Sequence, residues 1–377
     1  MKILTIGNGF DLYHNLPTRY SDFLEFCSVM TSLSRKENIV NMLSEAISKE
    51  LPSAYNFQKI SDENVKQYVK YLESENVAMK KKLFMFLDNN LWLKYFNKVK
   101  KLNGGSWVDF ESEISKVVQS MDYCYKNAGE ANLESSEQWA RISIFSEKKK
   151  GFLSKLSINA IKEDILSMRD SLHKDLERLI GALEIYLNDF VEKMPVNYLA
   201  PELLNEQFDK LLSFNYTSTY ERLYCKDRTI DCEYIHGKAD ATDDKVDMVL
   251  GIDEYLKDEE MDNDTTFIRF KKYFQILQKR TEVKYKEWIT QIDKNKEPSE
   301  VVFFGHSLNF TDKGYLQRLI MDENIKTRIY YYSEGQYGRL LENLIRVIGK
   351  MNTITYVGED DQAKIRFIKQ KEPVEIK

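Results

Sequence analysis

Four short stretches place polar, chemistry-capable residues directly after apolar runs. Gly7-Asn8-Gly9-Phe10-Asp11 follows Lys2–Ile6, and Asn215-Tyr216-Thr217 follows Lys210–Phe214. His236-Gly237 follows Glu233–Ile235, and Gly305-His306-Ser307-Leu308 follows Val301–Phe304. Without side chains, Gly7 and Gly9 let backbone N–H groups approach a phosphate closely. The full GxGxxG spacing is not met, because Leu12 stands where the third glycine belongs, and a plain tight turn is the other reading. Asn215 offers a donor and an acceptor on one side chain, suited to a sugar hydroxyl or a water, or else to capping a strand end. A neutral imidazole at His236 can take a proton near pH 7, or can be a satisfied turn histidine.

Other combinations carry less. Gly305-His306-Ser307-Leu308-Asn309 is not a hydrolase nucleophile elbow: its fifth residue is Asn309, and no histidine follows His306 to complete a triad. Cys225, Cys232 and His236 match no common zinc spacing, and no metal is expected. Asp109 and Glu111 read as helix-start acids that suit the helix dipole; as a pair they are the candidate divalent-ion ligands. His14 reads as a solvated loop residue close to the glycine turn, and His173 as a surface residue of a helix.

These tips need a scaffold that brings them together. The strand-like runs Lys2–Ile6, Lys210–Phe214, Glu233–Ile235, Met248–Leu250, Val301–Phe304, Arg328–Tyr332 and Ile354–Val357 are short and do not alternate. Helical stretches such as Phe267–Ile292 and Gly314–Met321 separate several of them. That pattern predicts a parallel sheet covered on both faces, whose ligands would lie beyond the carboxyl ends of the strands. Between the first strand and the rest, roughly Glu37–Met194, the apolar period is helical. Val65, Tyr68, Val69 and Leu72 show it, as do Trp107, Phe110, Ile114, Val117, Val118 and Met121. Ile161 to Phe190 marks one long helix. The expected organisation is therefore a discontinuous α/β domain, residues 1–30 and 200–377, with a helical insertion over 31–199. Lys364–Lys377 reads as a solvated tail.

The net charge is −5 over 377 residues, so bulk electrostatics do not favour nucleic acid. Four scattered cysteines without a CxxC pair, a start too short in apolar residues for a signal peptide, and no membrane-length apolar run lead us to expect a cytoplasmic protein.

The motifs Ile6-Gly7-Asn8-Gly9-Phe10-Asp11-Leu12 and Leu16-Pro17-Thr18-x-Tyr20-x-Asp22-Phe23 resemble the opening of AbiH-type abortive infection proteins. Trp107-Val108-Asp109-Phe110-Glu111, Phe214-Asn215-Tyr216-Thr217, Ile235-His236-Gly237 and Gly305-His306-Ser307-Leu308 resemble that family's later landmarks, in order. The family in turn resembles a distant branch of the sirtuin-like NAD-binding fold. The resemblance implies a Rossmann-like parallel sheet with a large all-helical insertion after the first strand. It implies Asn215 and His236 as the catalytic pair, and a nucleotide held by Gly7, Asn8, Gly9, Phe10, Asp11, Thr217, Gly305, His306 and Ser307. The chain departs from sirtuins in lacking their four-cysteine zinc site, in Asn8 where alanine is usual, and in Thr217 where an acid is usual. The implied activity is an anti-phage effector that cleaves the nicotinamide–ribose bond of NAD, its substrate. A metal-dependent nuclease using Asp109 and Glu111, or a non-catalytic nucleotide sensor, are the alternatives. Expected partners are NAD or a related nucleotide, a second copy of the chain, or a defence-system protein; neither membrane nor nucleic acid is expected.

Overall fold

The computed structural model describes residues 1–34, 77–102, 109–145, 153–225, 229–240, 246–256, 264–280, 284–295 and 298–375. The expectations placed on Val65, Tyr68, Val69, Leu72, Trp107 and Val108 lie outside them. The chain forms two units. One comprises Met1–Arg19, Val191–Met261 and Ile268–Lys377; the other comprises Tyr20–Phe190 and Asp262–Phe267.

The first unit is built on six parallel strands: β1 (Lys2–Ile6), β2 (Lys210–Ser213), β3 (Asp231–Tyr234), β4 (Ser299–Phe304), β5 (Ile325–Tyr331) and β6 (Ile365–Lys369). Their spatial order is β3-β2-β1-β4-β5-β6, the 3-2-1-4-5-6 order of doubly wound, Rossmann-like sheets. The order reverses between β1 and β4, which pair from Lys2↔Glu300 to Ile6↔Phe304.

Successive residues of each strand feed opposite layers, as the pleat requires. Ile3, Leu212, Val301, Phe303 and Ile329 pack with Trp288, Ile289, Leu316, Leu319, Leu340 and Leu344 from the helices Lys284–Asn295, Lys313–Met321 and Glu334–Ile348. Leu4, Ile6, Leu211, Val302 and Phe304 pack on the other side with Phe10, Leu203 and Tyr220. The central strands β1, β2 and β4 are covered on both faces and so carry apolar residues at consecutive positions instead of alternating with polar ones.

Three local readings are corrected. Met248–Leu250 is fully buried but is not a ladder strand. Its carbonyls are taken by side chains: Gln275 Nε2 donates to Leu250 O at 3.1 Å and Lys279 Nζ donates to Met248 O. Ile354–Val357 falls largely within the helix Lys350–Tyr356 and leaves Ile354 64% exposed; only Val357 pairs with the sheet, through a single bridge to Ile365. The sixth strand instead comes from the supposed tail. Ile365 and Phe367 face one layer, and Ile368 the other. Flanking Lys364, Lys369 and Lys371 hide this alternation in the sequence, and lysines of this kind are usual on an edge strand.

The second unit is helical: Tyr20–Ser34, Val77–Leu87, Leu91–Leu102, Phe110–Lys126, Glu137–Ile142 and Ile158–Tyr186. The last has 29 residues, about 43 Å of helix. Its core is aromatic, with Phe96 and Phe110 stacked at 4.1 Å and Tyr20 on Phe110 at 4.3 Å. Asp109 accepts from Ser112 N and caps the Phe110–Lys126 helix.

Because β6 closes one edge of the sheet, a chain ending at Gly358 should melt at least about 10 °C below the full chain in a thermal scan. The basis is the loss of roughly 5 kcal/mol of buried Ile365, Phe367 and Ile368 surface. An unchanged melting point would show that these residues contribute nothing to the fold.

Candidate functional site

The site grows from the contact between the turns after β1 and β4. Gly9 N–H donates to Gly305 O at 2.8 Å, and Phe10 N–H to Gly7 O at 2.8 Å. A Cβ on Gly9 would lie 2.6 Å from Gly305 O, and one on Gly305 only 2.1 Å from Phe10 N. Gly305 also has φ +67°, a left-handed conformation that favours glycine. The two glycines are therefore required for backbone-to-backbone packing, and the Gly9 amide is committed to it.

Beyond these turns the ladder extends across the strand ends. Phe214 N bonds to Ile6 O, Ile235 N to Ser213 O, and Val249 N to His236 O, at 2.8–2.9 Å. Ser213 Oγ brackets the backbone of Asn215, donating to its carbonyl and accepting its amide at 3.1 Å. Asn215 is thereby fixed, 4% exposed, with both amide atoms of its side chain buried and without hydrogen-bond partners. His236 is 6% exposed and its Nδ1 is likewise unpartnered. Buried polar atoms are nearly always hydrogen-bonded in folded proteins, so these atoms mark the strand ends as the candidate site.

His236 Nε2 lies 3.5 Å from Asp312 Oδ1, and His306 Nε2 lies 3.7 Å from Asp312 Oδ2. The Phe214 ring packs edge-on against both imidazoles, with centroids at 5.7 and 4.4 Å. His306 Nδ1 accepts the Leu308 N–H at 3.0 Å, which puts the His306 proton on Nε2. A ring nitrogen carrying a proton is no metal ligand, so this His-Asp-His cluster does not present a metal-ligand set. Burial pushes His306 down to about 4. Burial alone would raise Asp312, but the facing imidazole of His236 and the nearby charge of Lys272 hold it well below the usual carboxylate range.

Asp11 lies beneath the glycine turn, 1% exposed. Thr217 Oγ1 donates to its Oδ2 at 2.7 Å, Thr219 lies 3.2 Å from Thr217, and Asp11 Oδ1 is unpartnered. Burial raises Asp11 to about 6 despite those hydroxyls. His14, expected in solvent, is buried instead. Its Nδ1 meets Phe10 O at 2.7 Å and its Nε2 meets Tyr224 OH at 2.8 Å. The carbonyl can only accept, so Nδ1 carries the proton and Tyr224 donates to Nε2. The helical turn at Asn8–Tyr13 folds His14 back onto the Phe10 carbonyl, a closure invisible in the sequence.

Of the remaining expected residues, the Phe10 ring sits in the core against Tyr220, Tyr224 and Phe304, so only its backbone borders the turn. Asn8 is exposed and accepts from Thr18 Oγ1 at 2.5 Å. Ser307 is exposed, and its carbonyl accepts from Asn343. Sequence reasoning missed Asp312 and Lys272. The signal for Asp312, an acid six residues after His306 and directly before a helix, looks like an ordinary helix start.

Holding Asp11 ionised in a dry site costs stability. Its folded pKa lies above the free value of 3.8, so the native state binds the proton more tightly. Asp11 therefore weakens the fold progressively as pH rises from about 4 to about 6, and fully above that, by about 3 kcal/mol. Asp11→Asn should be more stable than the parent at pH 7.5 by about 1–3 kcal/mol, and the gain should vanish near pH 4. Denaturant melts across this pH range check it; a gain independent of pH would contradict the assignment of that cost to ionisation.

No curated protein and no solved structure matches the chain. The family model described as "Bacteriophage abortive infection AbiH" matches residues 3–333. Nearly the whole chain is covered, including the glycine turn, the Asn215 and His236 strand ends and the Gly305 loop. This protein accordingly belongs to the AbiH family of bacteriophage abortive infection proteins.

Proposed function

We propose that the protein acts in abortive infection by binding NAD at the carboxyl ends of its sheet and hydrolysing the nicotinamide–ribose bond. The observation that carries the reading is the set of unpartnered buried polar atoms, Asn215 Oδ1 and Nδ2 and His236 Nδ1, on neighbouring strand ends beside the point where the strand order reverses. Dinucleotides bind at that point in sheets of this order.

In the reaction, a water oxygen bonds to the ribose anomeric carbon as the carbon–nitrogen bond to the pyridinium breaks. The electron pair of that bond neutralises the ring nitrogen, so nicotinamide leaves uncharged. The water proton passes to His236 Nδ1, and ADP-ribose remains. The transition state is oxocarbenium-like. The Asn215 amide, a donor and an acceptor in one place, orients the water or a ribose hydroxyl, while His236 takes the proton. With the Gly9 amide committed to Gly305, the phosphates are expected over the Gly7–Asn8 end of the turn.

Purified protein incubated with NAD should release nicotinamide. His236→Ala should lower the rate by about 10²–10⁴-fold, and Asn215→Ala should lower it comparably. Release at the parental rate by either variant would remove that residue from the mechanism. A thermal shift with NAD but no release, with or without phage lysate, would leave a nucleotide sensor in place of an enzyme.

A further inference from the structure

Asp312 occupies the N-cap position of the Lys313–Met321 helix, yet its side chain makes no capping hydrogen bond. An aspartate there ordinarily accepts a backbone N–H of the first turn. Here the carboxylate turns away from the helix, is 8% exposed, and lies between the Nε2 atoms of His236 and His306. The turn Phe310–Asp312 leads straight into the helix and is capped by Asn309, which accepts the Thr311 N–H, so the Asp312 carboxylate is left to the two imidazoles. The approach to Asp312 is equally constrained. Gly305 and Leu308 both adopt left-handed backbone, and Leu308 does so at φ 53° although it is not glycine. The conformation places Leu308 N–H on His306 Nδ1 and buries the Leu308 side chain completely.

We propose that Asp312 is a positioning residue for His236, holding the His236 ring proton on Nε2 so that Nδ1 is the bare acceptor facing the site. The inference builds on the proposed hydrolysis only in what Nδ1 is used for. The tautomer follows from the charge that each ring nitrogen faces. The Leu308 amide fixes His306 in its Nε2–H form, with that nitrogen 3.7 Å from Asp312 Oδ2, near enough for charge attraction and too far for a direct hydrogen bond. The other oxygen, Oδ1, has His236 Nε2 as its nearest ring nitrogen, and an ionised carboxylate can only accept. A proton on His236 Nε2 faces this carboxylate across 3.5 Å, whereas a proton on Nδ1 would leave two lone pairs facing each other, so the Nε2–H form is the favoured one and Nδ1 is left bare. Lys272, itself 7% exposed, supplies positive charge near the carboxylate and helps keep it ionised. Asp312→Asn removes this charge. An amide offers one acceptor and one donor to two imidazoles; His306 is locked, so its Nε2–H takes the amide oxygen. The amide N–H₂ then faces His236 Nε2 and forces the His236 proton onto Nδ1.

The test is a long-range ¹H–¹⁵N spectrum of protein labelled in its four histidines, with His236→Gln identifying the His236 signals by their absence. In the parent at pH 7.5, His236 should be protonated at Nε2 and bare at Nδ1. In Asp312→Asn its proton should move to Nδ1, and nicotinamide release should fall by about 10²–10⁴-fold, with partial recovery in Asp312→Glu. A parent His236 protonated at Nδ1, or an unchanged His236 tautomer in Asp312→Asn, overturns the proposal. Should Asp312→Asn not fold, the parent spectrum alone decides. Should the parent release no nicotinamide, the hydrolytic reading fails while the tautomer result still confirms or overturns the role of Asp312.

Discussion

The hydrogen bond from Gly9 N–H to Gly305 O ties together the turns that follow the two central strands. It forms only because neither residue carries a Cβ and because Gly305 accepts a left-handed backbone. Much else depends on this contact. It sets where β4 hands the chain to His306, and hence where the Gly305–Asp312 loop can return a carboxylate to the strand ends. It also places Phe10 in the core and Asp11 beneath the turn. In this chain the paired glycines hold the two turns against each other first, and any contact with a phosphate comes from the amides that this packing leaves over.

Around that contact the site is dry, and dryness governs its electrostatics. Burial drives His14 and His306 down to about 4 and Asp11 up to about 6, each toward its neutral form. Asp312 is the exception, because two imidazoles and Lys272 surround it. The result is one secure negative charge at Asp312, beside the neutral His306 and near the Lys272 charge, with a second carboxylate at Asp11 that is costly to ionise. Next to the Asp312 charge sit an amide and an imidazole nitrogen whose hydrogen-bonding capacity nothing in the protein uses. Stability is sacrificed at these positions, since unpartnered buried polar atoms and a desolvated carboxylate all oppose folding. The cost falls on the strand ends, while the apolar layers on either face of the sheet carry the fold.

Local composition was enough to determine much of this protein. Unalternating apolar strands separated by helices specify a two-sided parallel sheet, because a strand buried on both faces cannot afford polar alternation. The 3.6-residue period of Ile161 to Phe190 specifies the long helix. Glycine, asparagine and histidine immediately after strands mark where a ligand could bind, because only loop residues at strand ends escape the ladder. Tertiary structure decided the rest. Ile365–Lys369 became a strand, and Ile354–Tyr356 part of a helix, because sheet formation depends on a neighbouring edge more than on β-branched composition. Asp312 joined His236 and His306 because a loop with two left-handed residues carried it there, and its spacing alone reads as a helix cap. The use of Gly9 against Gly305, residues nearly three hundred positions apart, is a matter of strand order: β1 and β4 are neighbours only in three dimensions, and no local pattern records which strands will pair.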